Sequence, residues 1–256
     1  MSLVLRLLRF FSTLLAYLLF GVVGCSLALI LPILLRLCPP GLPGQLRARR
    51  MVARVWSGYL AWMRLTGIFR VQWHGRERLG RPGQLILVNH PSLMDVLFMI
   101  SAVPEGNCVV KASLLKNPSM RPAIRACGFI PNDESLELIE KTDAVLTEGQ
   151  TLIIFPEGTR TGHDGIIRLN RGAISIGLRS ARVITPVVIR MNPPGLKRGD
   201  PWYFIPPRPY QYDIYVGDDI NPQDYLKRKP LPLAARLLHE DLTRYFQKET
   251  TTWETP

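Results

Sequence analysis

From Phe10 to Leu35 the chain reads FFSTLLAYLLFGVVGCSLALILPILL, 26 residues without a charge. No other feature constrains the fold as tightly, because a run this apolar must be covered by protein or by lipid. The 22 residues before Pro32 would make about 33 Å of helix. A bilayer hydrocarbon core is roughly 30 Å thick, so the run is long enough to span it. Pro32 is placed to end or bend such a helix. VVGC at residues 22–25 looks like a lipoprotein cleavage box, yet ten further uncharged residues follow Cys25, which does not suit a processed soluble protein. The segment is therefore expected to be retained, either spanning a membrane or embedded in one leaflet.

Charge points the same way. The formal net charge is +12, from 32 Lys and Arg against 20 Asp and Glu, and the first acidic residue is Glu77. Such an excess suits a polyanionic partner. Arg6 and Arg9 precede the apolar run, and Arg36, Arg47, Arg49, Arg50 and Arg54 follow it. Basic residues that flank an apolar leader indicate a phospholipid bilayer as partner rather than a nucleic acid. The larger basic group follows the run, so the body of the protein is expected on the cytoplasmic side of the membrane. PPGLPG at residues 39–44 is a turn cluster. The next 23 residues, 45–67, read as an amphipathic helix, with Met51, Val55, Tyr59 and Trp62 on one face and Arg47, Arg50 and Arg54 as a basic stripe. That helix suits either the headgroup zone or packing against the body. Residues 1–64 are accordingly read as anchor and amphipathic helix, and 65–256 as the main domain. The four cysteines show no C-x-x-C spacing, which gives no support for a metal site.

The body alternates two patterns. Short apolar runs, LILV (85–88), CVV (108–110), TLIIF (151–155), VITPVVI (183–189) and DIYVG (213–217), read as strands. Helical patterns fall between them: DVLFMISAV, PSMRPAIRACG, ESLELIEKTDAVLTEG and RGAISIGLRSA. The expected class is α/β, a mixed sheet flanked by helices, with an N-terminal apolar membrane-anchoring helical segment. The Pro-rich stretch 192–210 is expected to be an ordered loop or an edge.

Two motifs carry chemistry. LVNHPSLMD, residues 87–95, puts His90 five positions before Asp95 just after a strand. Asp95 could fix one imidazole nitrogen and leave the other to take a proton. The spacing alone would arise by chance in about one such chain in six, and His90 as a helix cap beside a first-turn carboxylate is the competing reading. FPEGTRT, residues 155–161, follows another strand. Gly158 permits a tight turn; Glu157, Thr159 and Arg160 supply an acceptor, a hydroxyl and a guanidinium suited to phosphate. A structural turn with a surface ion pair is the plainer reading.

Together the two strings, N-H-x-x-x-x-D and F-P-E-G-T-R about 60 residues later, resemble the glycerolipid acyltransferase family typified by bacterial 1-acylglycerol-3-phosphate acyltransferase. The resemblance covers roughly residues 60–220, including Lys111 after a strand, Gly128-Phe129-Ile130 and the strand Val183–Val187. It implies a lipid-metabolic enzyme of phospholipid biosynthesis at a bacterial inner membrane. His90 would be the general base and Asp95 its orienting carboxylate. The base would activate a hydroxyl of a lipid acceptor, such as a lysophospholipid, toward the thioester of acyl-CoA or acyl carrier protein. Glu157, Gly158, Thr159 and Arg160, with Lys111 and Arg171, would bind the acceptor's polar head. The resemblance implies no bound cofactor and no metal, and Ser92 is read as structural. The sequence departs from the family pattern after Gly128, where Asp133 and Glu134 stand in place of an arginine. That leaves a specialised acceptor without a phosphomonoester as an alternative, beside hydrolysis of the thioester and a non-catalytic scaffold.

Overall fold

The apolar leader and the segment after it fold as two long helices, α1 (Leu3–Arg36) and α2 (Leu42–Leu65). The structure is a computed structural model and describes residues 3–251 apart from 38, 134, 135 and 198–207. Cys38, Glu134 and half of the Pro-rich stretch therefore lie outside the described residues. Pro32 sits inside α1 without ending it. Within α1, Phe10–Ile33 is long and apolar enough to cross a membrane. Phe11, Leu14, Leu18, Val22, Leu29 and Ile33 are exposed along it. Ala16, Leu27 and Leu31 turn inward and join the core.

The seat for α1 is aromatic. Phe20 meets Trp56 of α2 at 5.1 Å between ring centroids, and the Tyr59 hydroxyl donates to the Ala16 carbonyl at 2.9 Å. The buried face of α2 is Ala48, Val52, Trp56, Tyr59, Leu60 and Met63, so this helix packs against the body as well as α1. Met51, Val55 and Trp62 are only partly buried at the edge of that face. Arg49, read from the sequence as one of the basic flanks of the membrane run, is 1% exposed. Its guanidinium donates to the carbonyls of Cys127 at 2.7 Å and Glu105 at 3.1 Å, and to the side chain of Gln150 at 2.8 Å. A buried cation is tolerated when hydrogen bonds replace its water.

Behind these helices lies a seven-stranded sheet, built from β1 (Phe69–His74), β2 (Gln84–Val88), β3 (Asn107–Lys111), β4 (Ile130–Asn132), β5 (Leu152–Ile154), β6 (Val183–Asn192) and β7 (Tyr210–Val216) in the order β1-β7-β6-β2-β5-β3-β4. All pairings are parallel except β6 with β7. Along β2 the side chains alternate between two hydrophobic layers. Ile86 and Val88 meet the layer containing α1, α2, α3 (Asp95–Ala102) and α4 (Arg121–Cys127). Leu85 and Leu87 meet the layer containing α5 (Leu136–Thr147), α6 (Arg171–Ser180) and α8 (Leu231–Thr251). A short α7 (Pro222–Leu226) precedes α8.

The five apolar runs are β2, β3, β5, β6 and β7, and the four helical patterns are α3 to α6. The mixed sheet flanked by helices is the α/β class expected. Strands β1 and β4 and helices α7 and α8 are additional. β1, FRVQWH, is an edge strand with only one fully buried side chain, so it lacks a continuous apolar run. β4 has three residues, one of them proline.

Candidate active site

His90 stands where β2 hands the chain to α3. The last backbone pairing of β2 with β6 is Val88 with Val187. Asn89 then continues it with its side chain: Oδ1 accepts from Ile189 N at 2.7 Å and Nδ2 donates to Ile189 O at 2.9 Å. The chain is thus still fastened to the sheet when it turns away at His90.

The imidazole is held by Asp95. His90 Nδ1 lies 2.8 Å from Asp95 Oδ2. Asp95 is fully buried and in the first turn of α3. The same Oδ2 accepts from Ser92 N at 2.7 Å, and Oδ1 accepts from the Ser92 hydroxyl at 2.6 Å. Behind Ser92 stands Tyr212 of β7, whose hydroxyl donates to Ser92 Oγ at 3.2 Å. Burial, and then the neighbouring Asp95 charge, push the Tyr212 hydroxyl well above the usual tyrosine range, so it remains a neutral donor. His90 does not cap the helix: the capping position of α3 is Met94, without a side-chain cap. With Nδ1 engaged, Nε2 is the ring nitrogen left for chemistry.

The second motif is tied to the first. Glu157 Oε1 accepts from the backbone N–H of His90 at 2.9 Å and from the Thr161 hydroxyl at 2.9 Å. Thr161 N in turn donates to His90 O at 2.7 Å. Phe155 lays its ring against the imidazole, with centroids 4.6 Å apart. Gly158 has φ +67, the left-handed conformation that closes the turn, and its N–H donates to Phe155 O at 3.0 Å. Burial raises the Glu157 carboxyl above its usual value, against the opposing pull of the His90 N–H and the Thr161 hydroxyl.

A cleft of about 640 Å³ opens beside this pair of motifs. His90, Lys111, Gly158, Thr159, Arg160 and Asn132 give it polar or cationic lining; Val96, Val109, Leu114, Leu138, Ile139, Ile154 and Ile176 give it an apolar wall. Arg160 is anchored by one nitrogen, which donates to Leu196 O at 2.6 Å. Glu157 lies behind the lining, bracing His90. Arg171 is exposed in the first turn of α6, while its neighbours Asn170 and Gly172 line the cleft. Among the described residues, no group of three or more His, Cys, Asp or Glu is placed to hold a metal. Sequence reasoning passed over Asn89 as a tether and Tyr212 altogether. The amide of Asn89 gives away its role only when β6 is known to lie beside it.

Residues 70–190 match the family model described as Acyltransferase. This stretch is similar to the acyltransferase family. It contains both motifs, β2 through most of β6, and the cleft-lining residues His90 to Ile176. Over 149 residues the chain is 27% identical to the 1-acyl-sn-glycerol-3-phosphate acyltransferase of Pseudomonas aeruginosa, covering 55% of this chain and 58% of that one. Over 113 residues it is 29% identical to the 1-acyl-sn-glycerol-3-phosphate acyltransferase alpha of Homo sapiens, covering 41% and 40%. The matched segments thus span about half the length of these relatives. The 1-acyl-sn-glycerophosphate (LPA) acyltransferase PlsC of Thermotoga maritima shares the fold, with a TM-score of 0.73 over 97% of this chain and 98% of that one, at 17% identity.

Proposed function

We propose that the chain is a membrane-bound glycerolipid O-acyltransferase that moves an acyl group from acyl-CoA or acyl carrier protein to a hydroxyl of a monoacyl lipid. The observation that carries this reading is the His90–Asp95 contact at 2.8 Å at the rim of a cleft that is cationic on one side and apolar on the other. His90 Nε2 takes the proton of the acceptor hydroxyl as its oxygen attacks the thioester carbonyl carbon. The tetrahedral adduct collapses, the C–S bond breaks, and the departing thiolate recovers the proton from the imidazolium. Asp95 holds the ring and stabilises its charge in the cationic stage. The chain's own side chains suffice for these proton transfers. Lys111 and Arg160 offer charge to an acceptor phosphate. Helix α1 supplies the apolar run that would hold the protein at the bilayer.

Replacing His90 by Ala tests the reading directly. Transfer from an acyl thioester to a monoacyl lipid should fall by about 10² to 10⁴, the share of a positioned base. Circular dichroism and recovery with vesicles should be unchanged; full retained activity overturns the assignment. A second reading of the acceptor comes from Asn132 in the cleft lining, which Asp133 follows directly. A carboxylate close to that wall favours an acceptor lacking a phosphomonoester. Competition between lysophosphatidic acid and a monoacyl lipid without terminal phosphate decides between the two.

A further inference from the structure

Between Glu105 and Asp133 the chain has no acidic residue but four cations, Lys111, Lys116, Arg121 and Arg125. All four are exposed, and among the described residues no ion pair or hydrogen bond engages their side chains. Elsewhere in the body Arg81 pairs with Asp219, Arg190 with Glu249 and Arg168 with Asp164; what sets the four apart is that no acidic residue lies in their stretch of chain. The four lie on one continuous ledge, the end of β3, the following 3-10 turn Ala112–Lys116, and α4. In α4, Arg121 and Arg125 share a face one turn apart, while Ile124 and Cys127 face the core. The ledge has two neighbours. On one side α4 packs against α1, with its exposed apolar residues. On the other, Lys111 and Leu114 line the cleft.

We propose that this ledge is an electrostatic docking surface for anionic phospholipid headgroups, which seats the cleft mouth at the surface of the bilayer that holds α1. The inference rests on the membrane reading above. Its argument is placement and charge. Cations without counter-ions beside a lipid-exposed helix gain from the negative potential of an anionic leaflet, roughly fivefold in partitioning for each Lys or Arg near the surface. A carrier protein with an acidic face would also fit the charge, but the packing of α4 on α1 favours lipid, because a chain anchored through α1 brings the ledge close to headgroups.

The test uses the full chain in phosphatidylethanolamine vesicles with or without phosphatidylglycerol. Lys111 is left intact because it lines the cleft. The variant K116E/R121E/R125E is compared with the parent chain. A nitroxide is attached at Ser113→Cys, with Cys25 and Cys38 changed to Ser, and its collisions with a nickel-chelating headgroup lipid are measured. This readout needs no activity. In the parent the collisions should rise with phosphatidylglycerol and fall at high salt; in the triple variant both dependences should vanish. Turnover of the parent should rise by roughly fivefold or more with phosphatidylglycerol, and that of the variant should not, while turnover in neutral detergent is the same for both. Equal collisions with and without phosphatidylglycerol, in chains that float with vesicles, overturn the proposal. So does a defect that appears with acyl carrier protein and not with acyl-CoA, whatever the lipid, which would make the ledge a protein-docking face. A chain that fails to float with either vesicle fails the membrane reading itself, a separate outcome.

Discussion

At the scale of single residues the site is a set of fixed distances around one imidazole. Asp95 orients His90, Ser92 satisfies both Asp95 oxygens, and Tyr212 of β7 supports Ser92 from within the same layer as α3. Glu157 holds the backbone of the same histidine. Its carboxyl is raised by burial, and the sign of the consequence can be worked out. An acid whose folded value lies above its unfolded value favours the folded state at low pH and loses that contribution as pH rises through the folded value. Glu157→Gln keeps an oxygen for His90 N and Thr161 Oγ1 while removing the charge. The variant should therefore melt no lower than the parent at neutral pH. Its advantage should shrink as pH falls below the raised carboxyl value, and thermal melts across the acid range read this out; an advantage that grows toward low pH contradicts it. His90, Asp95 and the FPEGTR turn were legible because each group lies in one short string. Tyr212 was not, because it meets Ser92 across 120 residues of sequence and belongs to a strand without a motif.

At the scale of elements, periodicity identified α2 but misplaced part of its inner face. Arg49 reads as one more basic residue of a membrane flank, and only the positions of Cys127 and Glu105 reveal that its guanidinium ties three segments of chain together. Arg49→Met keeps much of the stem and removes every donor. Leaving those carbonyls unsatisfied should cost roughly 2–3 kcal/mol, measured as a shift in denaturant midpoint, with His90 chemistry retained in the folded fraction. An unchanged midpoint would mean that water reaches the carbonyls. β1 and β4 escaped notice for a different reason: edge and three-residue strands bury too little side chain to leave an apolar run. α8 does leave a trace, since Ala234, Leu238, Leu242 and Phe246 recur every four residues, and that stripe is the signal that finds it.

At the scale of the molecule, α2 shares a hydrophobic cluster with the sheet, so the anchor and the domain are expected not to separate at residue 65. Val52, Trp56, Leu60 and Met63 of α2 belong to the same hydrophobic cluster as Val88, Val187 and Tyr212. A chain starting at residue 65 would expose that face of the body. It should aggregate or bind a hydrophobic dye during expression. A chain starting at residue 40 should keep the sheet while exposing Trp56 and Tyr59, and near-ultraviolet dichroism distinguishes the two. A soluble, cooperatively melting 65–251 fragment would refute this. The α/β class was legible from alternation because central parallel strands must be apolar on both faces. The strand order was not, because no local string records that β7 lies between β1 and β6.

The side chain of Asn89 carries a wider consequence. By bonding to both backbone groups of Ile189, it makes the last rung of the β2–β6 ladder from an amide that is not part of the main chain. The main chain is thereby released from the sheet one residue early, with neither backbone group of Ile189 left bare. The loop that follows can change length or curvature without unzipping β2. Variation in what the cleft accepts is in this way uncoupled from the integrity of the sheet, provided that position keeps a short side chain offering both a donor and an acceptor.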